Sequence, residues 1–250
     1  MLIKAAINGG RARNDHAAVP VSPTEVAADA IQCLKAGAGA IHLHVRVTSD
    51  LNSEKESLDK EDVERTVSTV LTVAPNEQIG ISTGAWILPH PARLQAATNW
   101  AVLPGFASVN FGEDGATELA KLLLSRGVEV EAGLCDANAA QVFLQSGLAT
   151  RCIRVLLEPQ EQEMKSALET VNALERVLES GGADFPLLLH GTEATAWPMM
   201  DEAIARGYDV RIGLEDTLVL PDGKTAKDNV ELVREAVRRV RKRAGASPPS

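Results

Sequence analysis

The chain predicts a closed (β/α)8 barrel, the TIM-barrel fold, and three observations carry that expectation. Eight short, nearly continuous apolar runs alternate with helical patterns. No Pro/Gly/Ser-rich linker interrupts the middle of the chain, so one domain is expected over residues 1–243, followed by a disordered tail at 244–250. The length, 250 residues, is what a single such barrel commonly uses. An open doubly wound sheet is the alternative architecture.

The strands are read as 2–8 (LIKAAIN), 40–46 (AIHLHVR), 78–83 (QIGIST) and 106–111 (FASVNF), then 129–134 (EVEAGL), 151–158 (RCIRVLLE), 186–191 (PLLLHG) and 209–215 (DVRIGLE). The first helix, in SPTEVAADAIQCLKAGAGA, is punctuated at both ends. Ser22 stands at the N-cap, Pro23 at N1, Glu25 at the capping-box position and Gly37 near the C-cap. DKEDVERTVSTVLTVA, GATELAKLLLSRG, DANAAQVFLQSG and EQEMKSALETVNALERVLESGG carry apolar residues at i, i+3, i+4 and i+7. ATAWPMMDEAIARG is a weaker helix, with Pro198 confined to its first turn. The last helix runs from about Ala226 to Arg243 and ends in RRVRKR, which suits the negative end of the helix dipole and reads as a solvated face. The acidic stretch TSDLNSEKESLDKEDVE reads as a solvent-exposed βα loop and helix start.

At 45% apolar and 24% charged, the composition is that of an ordinary globular chain. No apolar run approaches the roughly 18–20 residues of a membrane span, and MLIKAAINGG lacks a signal-peptide layout. Cys33, Cys135 and Cys152 are odd in number and without metal-ligand spacing; they read as small buried residues in a reduced, cytoplasmic protein. A net charge of −9 argues against nucleic-acid binding, although a local basic group can still oppose that sign and take an anionic substrate.

In a barrel, chemistry belongs at the C-terminal ends of the strands. Those ends carry Asn8-Gly9-Gly10-Arg11, then His42, His44 and Arg46, then Ser82-Thr83-Gly84, then Ser108 and Asn110. The fifth strand places Glu131 there, the seventh His190-Gly191-Thr192-Glu193 and the eighth Arg211, Glu215 and Asp216. Such side chains are costly to bury unless they are paired or bound.

His42 and His44 share one strand face with Cα atoms roughly 6.5–7 Å apart. Strands two and eight are both even-numbered, so their inward side chains share layers and Glu215 can approach the two imidazoles across strand one. Two imidazoles and a carboxylate leave an open coordination position, as in catalytic Zn²⁺ sites, and the donor set also admits Fe, Mn, Co or Ni. A satisfied pair of core histidines is the plainer alternative. Arg211, deeper than Glu215 on the same face, calls for a carboxylate, either a substrate's or Asp216 in a structural pair bracing the rim. Ser82-Thr83-Gly84 offers hydroxyls and an N–H to an oxyanion, or is plain turn chemistry.

These residues resemble the β-keto acid cleavage enzymes along nearly the full chain. The landmarks are INGGR, VPVSPTEVAADAIQCLKAGAGAIHLHVR, ISTG, ASVNFG and VRIGLEDTL with Asn229 downstream. The resemblance implies a single barrel, usually a homotetramer (a dimer is the other homo-oligomer expected), binding Zn²⁺ through His42, His44 and Glu215. It implies condensation of a β-keto acid with acetyl-CoA as co-substrate, yielding acetoacetate and a new CoA ester through a metal-stabilised enolate. It also makes Arg211 and Asp216 the dyad that deprotonates the substrate, and places Ser82, Thr83, Gly84, Ser108 and Asn110 at substrate contacts.

Two departures bear on the substrate. Arg11 stands where many members carry an acidic residue that recognises a substrate amino group, which predicts a neutral or anionic tail on the keto acid. LLLHGTEATAWP replaces a glycine-rich pattern, which makes His190 and Glu193 extra substrate groups or, for His190, a hydrogen-bonded structural residue. Two rival classes remain: an aldolase-type metal-dependent lyase or hydrolase working without CoA, and a non-catalytic metal-binding barrel.

Overall fold

The computed structural model describes residues 1–50, 53–182 and 185–245. Its strands are β1 (Ile3–Ala6), β2 (Ala40–Leu43), β3 (Gln78–Ser82), β4 (Phe106–Asn110), β5 (Glu129–Leu134), β6 (Arg154–Leu157), β7 (Leu187–Leu189) and β8 (Asp209–Ile212). All neighbours pair in parallel, and β8 returns to β1 to close the barrel. The helices are α1 (Pro23–Ala36), α2 (Lys60–Val73), α3 (Ala92–Asn99), α4 (Ala116–Ser125), α5 (Ala137–Gln145), α6 (Met164–Ser180), α7 (Ala196–Arg206) and α8 (Asn229–Ala244). Among the described residues no helix is long and apolar enough to cross a membrane. Residues 246–250 of the expected tail lie outside the described residues, and Ala244 closes α8.

Period-two alternation divides the strands between two chemistries. Ile3, Ile41, Ile79, Ala107, Val130, Val155 and Val210 are buried in the apolar core shared with the helices. The alternate positions, Lys4, His42, Ser108, Glu131, Arg154 and Arg211, are buried and polar. Lys4 on β1 meets Glu131 on β5, which is possible only across the barrel interior. Arg154 Nε completes this cluster 3.2 Å from Glu131 Oε2. Glu131 therefore braces the barrel low in its interior instead of ending strand five, which runs on to Leu134.

Capping chemistry sets α1 as expected: Glu25 N–H donates to Ser22 Oγ, Glu25 Oε2 accepts from Ser22 N–H, and Gly37 ends the helix at φ 116°. The α3 helix is absent from the sequence reading. It has eight residues and buries only Arg93 and Ala97, too little for a periodic apolar stripe. The acidic stretch after β2 is the expected βα loop and helix start, with α2 beginning at Lys60, but it is not solvent-exposed throughout: Thr48, Ser57, Leu58 and Asp62 are buried. Arg46 and Glu56 form an antiparallel bridge, and Ser57 N–H donates to Val45 O at 2.9 Å, so the segment folds back along the extension of β2.

Candidate active site and metal centre

The turn after β8 resolves the parity of RIGLED. The strand ends at Ile212, and the Asp216 and Thr217 amides both donate to Gly213 O, at 2.9 and 3.0 Å. Consecutive residues Glu215 and Asp216 therefore both turn toward the barrel mouth. Small neighbours make room for this turn. A Cβ on Gly213 would stand 1.8 Å from Ala6 O, and one on Gly9 (φ 50°) would stand 2.2 Å from Glu215 Cγ. Asn229, the first residue of α8, locks it by accepting from Leu214 N–H at 2.7 Å and donating to Ile7 O at 2.8 Å.

His44 lies one residue beyond β2 and is held there by Asn8. Its N–H donates to Asn8 Oδ1 at 2.8 Å, and Asn8 Nδ2 donates back to His44 O at 3.0 Å. Glu215 then faces both imidazoles across β1, with Oε2 3.7 Å from His42 Nε2 and Oε1 3.5 Å from His44 Nε2. One ligand atom from each of the three residues lies within 4.8 Å of the others, a span that small side-chain shifts bring within reach of a single ion with ligands about 2.0–2.1 Å away. His44 Nε2 and Glu215 Oε2 are buried without a hydrogen-bond partner among the described residues. The opposite ring nitrogens are occupied: His42 Nδ1 lies 3.1 Å from Ser108 Oγ, and His44 Nδ1 pairs with Glu56.

The electrostatics favour a cation at this point. Burial pushes the His42 imidazole well below its ordinary pKa, leaving a neutral ring with a lone pair. Burial also opposes charge on His44, but the Glu215 and Glu56 carboxylates outweigh it and raise that pKa. For Glu215, Arg211 and the two histidines overcome the burial penalty and hold the carboxyl well below the usual range. The residues present fit a divalent metal ion.

Behind the triad, Arg211 Nε donates to Asp216 Oδ1 and Oδ2 at 3.1 and 3.3 Å, and Nη2 donates to Oδ1 at 2.8 Å and to Glu215. Burial works against the guanidinium charge, yet the two carboxylates raise its pKa above the ordinary value. A cavity of about 410 Å³, lined by residues of this site, opens at the barrel mouth. That volume suits a small-molecule substrate.

The profile of the beta-keto acid cleavage enzyme family matches residues 1–248. The chain belongs to that family. Two relatives named 3-keto-5-aminohexanoate cleavage enzyme, from Fusobacterium nucleatum and Acetoanaerobium sticklandii, are 28% and 26% identical. Each aligns with 95% of this chain and 90% of its own length. The apo structure of ObcA superposes with a TM-score of 0.72 at 17% identity over 90% of this chain, which shows a shared fold; the chain spans 62% of that ObcA chain.

In this member of the family of β-keto acid cleavage enzymes, the expected substrate residues divide into two groups. Ser82, Ser108, Asn110 and His190 line the cavity together with Arg211 and Glu215. Thr83, Gly84, Asp216, Arg11 and Glu193 do not line it. The Thr83 hydroxyl is spent on Ser108 O at 2.6 Å. Arg11 forms an ion pair with Glu193 on the rim, so its charge is offset there, and the argument from Arg11 for a neutral or anionic tail loses its electrostatic basis. Glu193 adopts φ 48° and donates its N–H to Asp216 O at 2.7 Å, tying the turn after β7 to the turn after β8.

Several residues at or beside the cavity lie beyond the sequence reading. Trp86, in the cavity wall, and Glu56, behind His44, arrive from loops, and no local pattern marks them. Trp86 stacks on His44 at a centroid distance of 6.1 Å and donates to Glu56 Oε2 at 3.0 Å. Glu158 closes the RCIRVLLE run and was legible as a strand end, the same signal that marked His190. Cys135 is half-buried in the cavity wall, unlike Cys33 and Cys152, which are buried as expected.

Proposed function

We propose that this protein condenses a β-keto acid with acetyl-CoA, giving acetoacetate and the CoA ester of the remaining acyl group, at a divalent-metal centre held by His42, His44 and Glu215. The observation that carries the reading is the convergence of three buried ligand atoms within 4.8 Å of one another inside the substrate-sized cavity. Membership of the family and the names of its relatives supply the reaction class. A divalent ion, Zn²⁺ being well matched to this donor set, supplies Lewis acidity toward the keto and carboxylate oxygens.

The chain's own groups do the rest. Ser82, Ser108 and Asn110 present hydroxyls and an amide along one wall and orient the acid. Arg211 opposes the substrate's negative charge from the cavity floor, and its fork fixes Asp216 at the centre of proton transfer. One observation favours the CoA-free lyase or hydrolase instead: Arg211 is the sole Lys or Arg among the described residues that line the cavity.

A panel of β-keto acids assayed with and without acetyl-CoA, following CoA esters by mass, tests the reading. New CoA esters and acetoacetate are expected from the metal-loaded protein, and a doubly substituted His42→Ala/His44→Ala variant should purify without metal. Cleavage that proceeds equally without CoA refutes the transferase and supports the lyase. Equal metal content in the two proteins removes the centre.

A further inference from the structure

The cavity wall across the barrel from the metal ligands carries Asn110, Glu113, Asp136, Glu158 and His190, at or just beyond the ends of β4 to β7. Its carboxylates are already engaged. Glu113 pairs with the buried Arg93, and Asp136 Oδ1 accepts from Ala139 N–H at 2.8 Å to cap α5. Glu158 Oε2 stands 3.7 Å from His190 Nε2, and Asp216 Oδ1 stands 3.5 Å from His190 Nδ1. Burial and Arg211 oppose charge on that ring, but the two flanking carboxylates outweigh them and raise its pKa. His190 therefore carries a proton on each nitrogen and offsets the charge of Glu158.

Three polar atoms of this wall remain to be satisfied. His190 Nε2 is buried and has no hydrogen-bond partner among the described residues. Asn110 Nδ2 donates to Glu113 Oε1 at 3.0 Å, which turns Oδ1 the other way. A Cβ on Gly133, which lies between Asn110 on β4 and Leu156 on β6, would stand 2.6 Å from both Asn110 Oδ1 and Glu158 Oε1. The missing side chain leaves these two oxygens side by side. The wall thus presents one donor and a pair of acceptors.

We propose that this wall selects a β-keto acid whose tail carries a hydroxyl group, with His190, Glu158 and Asn110 as the specificity-determining residues. The inference rests on the β-keto acid reading above and names the tail of that substrate. A hydroxyl meets both kinds of group at once: its oxygen accepts from Nε2–H, and its proton goes to Glu158 Oε1 or Asn110 Oδ1. An ammonium has protons for the two oxygens but no lone pair for Nε2–H, and it would stand beside a cationic ring. A carboxylate would accept from Nε2–H but would press its charge against the two oxygens. A plain alkyl tail would expel water and leave the buried N–H unpaired.

Selectivity is read as a ratio within one protein, so differences in folding and metal loading cancel. The probes are 3-oxohexanoates carrying a hydroxyl, an ammonium or only hydrogen at C5 or C6, assayed with acetyl-CoA for CoA-ester formation. In the parent protein the better hydroxyl acid should exceed the unsubstituted acid roughly 10–100-fold in kcat/KM, and the ammonium acids should show no such gain. His190→Leu and, separately, Asn110→Ala should each cut that advantage to about threefold or less. Calorimetric titration of the same acids into metal-loaded protein without acetyl-CoA should give the same order of affinity. Equal use of hydroxyl and unsubstituted acids, a preference for an ammonium acid, or an equal loss on every acid in His190→Leu overturns the assignment. CoA-ester formation by the parent in those cases leaves the β-keto acid reading standing. A parent protein that neither converts nor binds any of the acids overturns both.

Discussion

Glu56→Gln tests how His44 is aimed at the metal. The Glu56 carboxylate accepts two donors at once: His44 Nδ1–H at Oε1 and Trp86 Nε1–H at Oε2, the latter at 3.0 Å. A glutamine keeps the size but offers a single acceptor oxygen, so its NH₂ must confront either the histidine or the indole. The His44 tautomer with its lone pair on Nε2 then loses the partner that enforces it. Loss of such a partner typically costs 10–100-fold in metal affinity, which corresponds to about 1.4–2.7 kcal/mol. Competition with a chromophoric chelator measures the dissociation constant directly, and circular dichroism checks that the fold is retained. Rotation of Trp86 off His44, now 6.1 Å away and inclined by 25°, should accompany the loss as a change in indole fluorescence. An affinity within twofold of the parent protein would refute the reasoning, because Nδ1 would then be held by something else.

Two further outcomes are expected from residues outside the ligand set. Gly213→Ala places a Cβ 1.8 Å from Ala6 O, against backbone that cannot yield cheaply, so urea unfolding should show a loss of roughly 1–3 kcal/mol together with weakened metal binding. Unchanged values in both assays would show that the turn has slack. Asp29 is pushed up to about pKa 7 by burial, with Asp228 adding to the rise and the hydrogen bond from Asn229 opposing it. Because its folded-state pKa lies above the unfolded value near 4, stability should fall as pH rises from about 4 to 7. Asp29→Asn should remove that slope and leave the protein about 1–2 kcal/mol more stable at pH 8, after discounting for partial exposure. Parallel stability curves for the two proteins would exclude this contribution.

Much of the architecture was legible because the rules behind it are local. Ser22, Glu25 and Gly37 specify α1 through contacts within a few residues, and the observed cap follows them. Parity put His42 and His44 on one face, and the order of strands brought the end of β8 near them, although Glu215 itself is presented by the turn after that strand. The α3 helix escaped because Arg93, a charged residue, is one of its two buried positions. There the burial is satisfied by polar contacts, Arg93 donating to Thr83 O at 2.9 Å and to Glu113, which no hydropathy pattern displays. Glu131 departs from the expected strand end for a related reason. A carboxylate inside a strand can serve a site or brace a barrel, and only its pairing with Lys4 and Arg154 decides between these.

The sequence by itself determined the barrel and the two imidazoles on one face, and the order of strands brought the end of β8 beside them; the turn that aims Glu215 is set by contacts with Ala6, Ile7 and Asn229. The tertiary structure alone decided what surrounds those ligands. Glu56 reaches His44 because a loop folds back along β2, Arg11 is offset by Glu193 across the rim, and Asp216 is buried against both Arg211 and His190. Each of these contacts joins side chains carried by different loops. Such distances are set by barrel closure and by the close approaches that Gly9 and Gly213 permit, and no spacing along the chain encodes them.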